Sequence, residues 1–149
     1  MTTMLDRLKS EMKAAMKSRQ KERLGVIRLI LSATKQVEVD ERIELDDARV
    51  IAVLDKMLKQ RRESIKQYRD ANRVDLAEIE EAEILVIQDF LPKALTEDEI
   101  TEIVQAAISE SSASSIKDMG KVMGIVRSKM IGRADMAVVS TKIKALLGV

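Results

Sequence analysis

Apolar residues recur at intervals of three and four along most of the chain, which is the spacing of one face of an α-helix. Serine, threonine or aspartate precedes several of these segments, as is usual at the first residue of a helix. The pattern predicts seven amphipathic helices. Their expected ranges are about 4–17, 20–39, 47–69, 74–90, 97–108, 116–131 and 136–147.

The second predicted helix carries two apolar rows instead of one. They consist of Leu24, Ile27, Leu31 and Thr34, and of Val26, Ile30, Ala33 and Val37. A helix that is apolar over so wide an arc packs on more than one side. We therefore expect this helix at the centre of the front half of the chain.

The third and fourth predicted helices form a long antiparallel hairpin that turns near Asn72. Residues equally distant from the turn face each other, so Ile65 is expected to meet Ile79. The apolar stripes are interrupted at matching positions by Arg61 and Glu83, which predicts a structural ion pair that fixes the register. The alternative is a solvated surface pair worth less than about 1 kcal/mol.

Pro92 ends the fourth helix and marks a boundary, since proline cannot continue a helix. The sequence thus predicts an all-α protein with two domains. Residues 1–93 form an N-terminal four-helix region that contains the long hairpin, and residues 94–149 form a small C-terminal three-helix bundle.

The sixth predicted helix has a mixed character that sets it apart. Its expected apolar face comprises Ile116, Met119, Met123, Val126 and Met130. Opposite this face fall Lys117, Lys121, Gly124 and Ser128, with Gly120 and Arg127 at the border. Small residues between cations permit a partner helix or a phosphate chain to come close, which makes Gly120 and Gly124 candidate close-approach positions.

Composition excludes several kinds of chemistry. The 149 residues include no histidine and no cysteine, so a Cys–His site, a Ser-His-Asp triad and thiolate or imidazole metal ligation are impossible. The segment at Lys121 does not have the glycines of a P-loop. Six acids lie between Asp75 and Asp89 without a cation among them, which is more typical of a solvated face than of a magnesium site. No catalytic residue, cofactor or metal is predicted.

The net charge is only +1, but the charges are unevenly distributed. Residues 116–133 hold five cations and one acid, and residues 1–35 hold nine cations and three acids. Such clusters suit phosphates, and generic helix solubility is the alternative explanation. With one Phe and one Tyr, stacking of single-stranded bases is excluded, so an RNA contact would use A-form shape and backbone. Candidate nucleic-acid contacts are Lys117, Lys121, Arg127 and Arg133.

Two runs of residues carry a resemblance to a known family. The first is Asp118-Met119-Gly120-Lys121-Val122-Met123-Gly124 followed by Gly132-Arg133-Ala134-Asp135. The second comprises Lys59-Gln60-Arg61-Arg62-Glu63-Ser64-Ile65, Tyr68, Ala71, Arg73, Asp75-Leu76-Ala77 and Phe90-Leu91-Pro92. Together they resemble the YqeY-like family, whose domain also forms the tail of the B and E subunits of tRNA-dependent amidotransferases. The similarity spans nearly the whole chain.

This resemblance implies a non-catalytic helical module that associates with tRNA, or with an amidotransferase or aminoacyl-tRNA synthetase. Members of the family are also labelled as carbon–nitrogen ligases that use glutamine as amide donor, although the catalytic domain of the larger enzymes is absent here. Two alternatives remain open: a protein–protein adaptor that docks through Gly120 and Gly124, and an enzyme that uses the acidic fourth helix. No segment is apolar enough to span a membrane, no signal peptide is visible, and DNA is not an expected partner. We expect a cytoplasmic location.

Overall fold

The computed structural model describes residues 2–148, and over this range the chain is helical without any strand. The helices are α1 (Met4–Lys17), α2 (Lys21–Glu41), α3 (Asp47–Asp70), α4 (Val74–Gln88), α5 (Glu97–Ser111), α6 (Met119–Met130) and α7 (Met136–Leu146). A 3-10 turn, Ile116–Asp118, precedes α6. The predicted all-α class is confirmed.

The chain divides into two compact units, Met1–Leu91 and Pro92–Val149. The first unit contains α1 to α4, and the second contains α5 to α7. Each unit has its own cluster of buried apolar residues. That residues 1–93 and 94–149 are independently folding domains stays a prediction.

Side-chain caps begin four of the helices, at the residues that the sequence indicated. Thr3 and Thr96 each form a capping box with the acid three residues later, in which side chain and backbone satisfy each other. Asp46 caps α3 by accepting from the Arg49 N–H at 2.9 Å, and Asp135 caps α7 by accepting from the Ala137 N–H at 3.0 Å. Local sequence therefore sets where these helices start.

Helix α2 packs against α1, α3 and α4, as its two apolar rows predicted. Its buried residues are Val26, Ile27, Ile30 and Thr34. Thr34 is the one polar residue among them, and its hydroxyl donates to the Leu31 carbonyl at 2.8 Å. The hydroxyl is thus satisfied within the helix, so it does not weaken the core.

The α3–α4 hairpin brings Arg61 and Glu83 into contact. The Arg61 Nε donates to a Glu83 carboxylate oxygen at 2.8 Å, and a Glu80 oxygen lies 3.9 Å from the same nitrogen. The Arg61 side chain is only 13% exposed, so it needs this compensation. A third acceptor is the Met57 carbonyl at 3.4 Å.

One part of the hairpin prediction is wrong. Ile79 was expected to face Ile65, but it is 57% exposed, while Ala77 is fully buried. Ala77 and Ile79 lie about 200° apart around the helix, so only one of them can lie on the buried side near the turn. The choice of the larger apolar side chain as the buried residue therefore gave the wrong position.

A second charged cluster closes the first unit around Phe90, which is buried. The guanidinium groups of Arg7 and Arg23 lie 5.0 and 5.3 Å from the centre of its ring. Arg7 donates to the Asp89 carbonyl at 2.8 Å, and Arg23 donates to the Asp89 carboxylate at 2.7 Å and to Glu11 at 3.3 Å. These contacts join α1 and α2 to the end of α4, with cation–π attraction to the ring.

The second unit buries Val104, Val122, Val126, Met130 and Ile143, among others. This corrects the apolar face expected for α6, because Ile116 is 44% exposed while Val122, outside the expected face, is buried. Ile116 belongs to the 3-10 turn, which has three residues per turn instead of 3.6. The apolar positions of α6, when they are counted from Ile116 with the spacing of an α-helix, are therefore displaced from the buried ones.

The Arg61 pair can be tested by its effect on stability. We expect Arg61→Met to lower the free energy of unfolding by about 1–3 kcal/mol, since Glu80 and Glu83 would keep partly buried, uncompensated charges. The matched control is Arg69→Met, which breaks an exposed pair with Glu81 on the same two helices and should cost less. Urea unfolding measures both values, and equal losses would contradict a structural role for the Arg61 pair.

Independence of the two units can be tested with one core truncation in each. Ile87→Ala and Met130→Ala should each lower the stability of their own unit by about 2–5 kcal/mol through lost packing. Hydrogen exchange should then rise in α1–α4 for the first variant and in α5–α7 for the second. If either truncation raised exchange equally in both units, the prediction of two domains would be wrong.

Candidate nucleic-acid interface on α6

Buried apolar residues fix which side of α6 faces outward. Val122, Val126 and Met130 are fully buried, and α6 packs against both α5 and α7. Residues on the opposite side of the helix must then lie toward solvent. Lys121, Gly124 and Ser128 occupy that side and are exposed, and Gly120 and Arg127 are exposed beside them.

Three of the four predicted cations are exposed on the second unit. Lys117 lies in the 3-10 turn, and Lys121 and Arg127 lie on α6. Within residues 2–148, none of these three side chains makes an ion pair or donates a hydrogen bond. Their charges are therefore available to an external anion.

Asp118 is the single acid in this stretch, and its carboxylate is already engaged. It accepts from the backbone N–H of Ser114 at 3.0 Å and of Ser115 at 3.4 Å. The Ser114 N–H is the main cause that holds the pKa of Asp118 below its usual value, and the charge of Lys121 adds a smaller effect. The carboxylate thus caps the 3-10 turn and forms no close ion pair with the neighbouring lysines.

Arg133 is in a different situation from the other three cations. Its Nε donates to the Lys93 carbonyl at 3.1 Å, and its own carbonyl accepts from the Leu95 N–H at 2.9 Å. The preceding Gly132 has φ 75°, which lets the chain turn sharply after α6. Arg133 therefore joins the α6–α7 turn to the segment before α5, and the structure does not group it with the exposed cations.

Arg133 also lies near an acid. The pKa of Glu99 is lowered chiefly by hydrogen bonds from Thr96 at the start of α5, and Arg133 and Lys93 lower it further by charge. A cation that already interacts with a carboxylate and a carbonyl is a weaker phosphate contact than a free one. Asp135 similarly occupies the Ala137 N–H at the start of α7.

Gly120 and Gly124 have free space where a side chain would stand. A Cβ atom built on either residue meets no atom within 4 Å. The packing of this chain therefore does not require glycine at these positions, although glycine costs a helix about 1 kcal/mol relative to alanine. The two residues present bare backbone on the same exposed side as Lys121.

Most acids of α4 contact arginines, and of these contacts the sequence predicted only the Arg61–Glu83 pair. Glu80 and Glu83 contact Arg61, Glu81 pairs with Arg69, Asp75 pairs with Arg73, and Asp89, just beyond the helix, pairs with Arg23. The one feature of the sequence that could have predicted the other pairs is the position of the arginines on neighbouring helices and turns. No group of three or more acids in the described part of the chain is arranged to hold a metal ion.

Comparison with known proteins decides the family. The family described as Yqey-like protein matches residues 5–147, which is almost the entire chain. The chain belongs to the YqeY-like family. The resemblance noted from the sequence motifs is thereby confirmed.

Curated relatives of this YqeY-like chain carry a mitochondrial name. "Altered inheritance of mitochondria protein 41, mitochondrial" of Pyrenophora tritici-repentis is 34% identical over 97% of the chain and 81% of the relative. The proteins of the same name from Meyerozyma guilliermondii and Lachancea thermotolerans are 30% and 33% identical. The matched regions cover 82% and 72% of this chain. They cover 66% and 59% of the two relatives' own lengths.

These names contradict the cytoplasmic location expected from the sequence. That expectation relied on the lack of cysteine and on the absence of a recognisable leader. A lack of disulfides is shared by every reducing compartment, so it cannot distinguish the cytoplasm from another one. Among the described helices, none combines the length and the apolar character needed to cross a membrane.

The open space at Gly124 leads to a stability prediction. Gly124→Ala should raise the free energy of unfolding of the second unit by about 0.5–1 kcal/mol, because alanine favours the helix and would meet no neighbour. Gly25→Ala in α2 is a matched control, since a Cβ there also meets nothing. Thermal unfolding measures both, and a loss of stability for Gly124→Ala would show that α6 needs glycine for its own packing.

Proposed function

We propose that this YqeY-like chain is a non-catalytic helical module that associates with tRNA or with the machinery of tRNA-dependent amidation. The observation that carries the proposal is the exposed group of Lys117, Lys121 and Arg127 on one unit. These cations have no carboxylate partner in the described chain, so phosphates can approach them without first breaking an ion pair.

The geometry favours contact with an RNA backbone over contact with bases. Lys121 and Arg127 lie about 9 Å apart along the axis of α6, as the helical rise gives for six residues. Phe90 is 2% exposed and lies near two guanidinium groups, and Tyr68 is partly buried, so these two rings offer little surface for stacking. Recognition would then depend on the shape and charge of structured RNA.

The contacts between the acids of α4 and nearby arginines support a non-catalytic role. An enzyme that used α4 would need a carboxylate with a proton to exchange near substrate. Most acids of α4 instead contact arginines, and Glu80 and Glu83 share the partly buried Arg61. Such contacts serve the packing of the hairpin, because Arg61 is mostly covered between α3 and α4.

A protein–protein adaptor is the second candidate, and the two glycines of α6 favour it. Gly120 and Gly124 lower helix stability, and nothing in the described chain uses the space they leave. A partner helix that packs on this face would use that space. The two functions differ in their response to ribonuclease, because an adaptor keeps its protein partner after RNA has been degraded.

The tRNA proposal is tested by charge reversal on α6. The variant Lys117→Glu, Lys121→Glu, Arg127→Glu should bind deacylated tRNA at least about tenfold more weakly at moderate salt, because three phosphate contacts are lost. Filter binding over a series of salt concentrations provides the measurement. Arg133 is kept unchanged because its side chain contributes to the fold.

A second triple variant provides the control for net charge. Lys56→Glu, Lys59→Glu, Lys66→Glu changes the total charge equally and affects exposed lysines of α3. Its tRNA affinity should stay near that of the unchanged protein. If the α6 variant bound tRNA as well as the unchanged protein, this face would not be the contact. Equal weakening by both triples would show that only net charge matters.

A further inference from the structure

The turn between α1 and α2 carries a second concentration of positive charge. Residues 12–21 contain four cations and no acid, and Lys13, Lys17, Arg19 and Lys21 are all exposed. The nearest acid before this segment, Glu11, already accepts from Arg23. The turn is therefore a compact cationic surface on the first unit.

These four cations contrast with the arginines that the fold uses. Five arginines of the first unit pair with carboxylates, namely Arg23, Arg49, Arg61, Arg69 and Arg73. Arg7 donates to the Asp89 carbonyl. Within residues 2–148, no side chain of the four cations in the α1–α2 turn has an ion-pair or hydrogen-bond partner. Lys17 lies in the last turn of α1, where its charge also favours the helix end.

Arg19 adopts a backbone conformation that favours glycine. It has φ 57° and follows the end of α1, where the Gln20 N–H donates to the Ala15 carbonyl at 3.0 Å. Glycine is the usual residue at this position of a helix end, because a side chain strains the left-handed conformation. Arginine thus lowers stability here, and no contact of its side chain within the described chain offsets the loss.

We propose that the α1–α2 turn is a second contact for the phosphate backbone of RNA, with Arg19 at its centre. The inference rests on the proposed tRNA association and extends it to the first unit. Each cationic surface would add its own phosphate contacts to the affinity of the chain for RNA. The contact is to phosphates, so it adds affinity without base specificity.

The surroundings of the turn favour RNA over an anionic membrane. A helix that lies on a lipid surface inserts apolar residues beside its cations. Met16 is the single large apolar residue exposed in residues 12–21, and the other exposed positions there are small, polar or cationic. This surface therefore offers charge with little apolar area to bury.

The variant Arg19→Gly separates a binding role from a structural one. Glycine fits φ 57°, so the melting temperature should rise, whereas tRNA should bind several-fold more weakly because one cation is lost. The slope of log affinity against log salt should also become shallower by about 0.7–0.9. A residue with only a structural role would not give opposite changes in stability and binding.

Arg42→Gly is the matched control. Arg42 ends α2 with φ 55°, is exposed, and sits in the same helix-end geometry, with the Ile43 N–H donating to the Glu38 carbonyl. Residues 38–47 hold six acids and Arg42 as the one cation, so phosphates would be repelled there. This variant should gain thermal stability as Arg19→Gly does, with tRNA affinity unchanged.

The decisive experiment measures the affinity for deacylated tRNA of four proteins: the unchanged chain, Arg19→Gly, Arg42→Gly and the α6 triple variant. Vesicles of equal phosphatidylcholine and phosphatidylglycerol are the second probe. Weaker tRNA binding by Arg19→Gly alone among the two glycine variants supports the inference. If Arg19→Gly binds like the unchanged protein while the α6 variant does not, the second contact is absent and the proposed function stands. Preference for vesicles, or no tRNA binding by the unchanged chain, overturns the inference.

Discussion

A charged side chain that lies between two helices must meet an opposite charge, and this requirement organises the first unit. Arg61 is mostly covered in the α3–α4 hairpin and contacts two glutamates of α4. Arg23 does the same between α1, α2 and the end of α4, where Phe90 adds a ring face for two guanidinium groups. Leaving such a group without its partner costs more than the pair contributes, so the pairs fix helix positions more than they add stability.

The same pairing determines which charges remain for other molecules. Arginines of the first unit neutralise most acids of α4, so the acidic appearance of that helix in the sequence overstates its free negative charge. Lysines and a few arginines at exposed positions are left over, on the α6 face and at the α1–α2 turn. A protein whose net charge is only +1 can therefore still present local cationic surfaces.

Membership of the YqeY-like family gives these surfaces a biological setting without assigning them a ligand. The fungal relatives are named for mitochondrial inheritance, and their names mention neither RNA nor an enzymatic reaction. The binding role proposed here is supported by the exposed cations of the second unit and by the arginines that engage most acids of α4. The glycines of α6 and Arg19 at the end of α1 each carry a conformational cost, and Arg42 at the end of α2 shares that of Arg19.

The sequence by itself determined the helical class, the number of helices and most of their starts, because periodicity and capping are local properties. It also indicated the central place of α2 and the family. Only the tertiary structure decided that α4 buries Ala77 instead of Ile79, and that Ile116 stays exposed while Val122 is buried. Those outcomes depend on which side of a helix packs against its neighbours and on a 3-10 turn that shifts the helical phase. The pairing of Arg23 with Asp89 and the engagement of Arg133 with the Lys93 carbonyl likewise join residues distant in the chain, which no local pattern specifies.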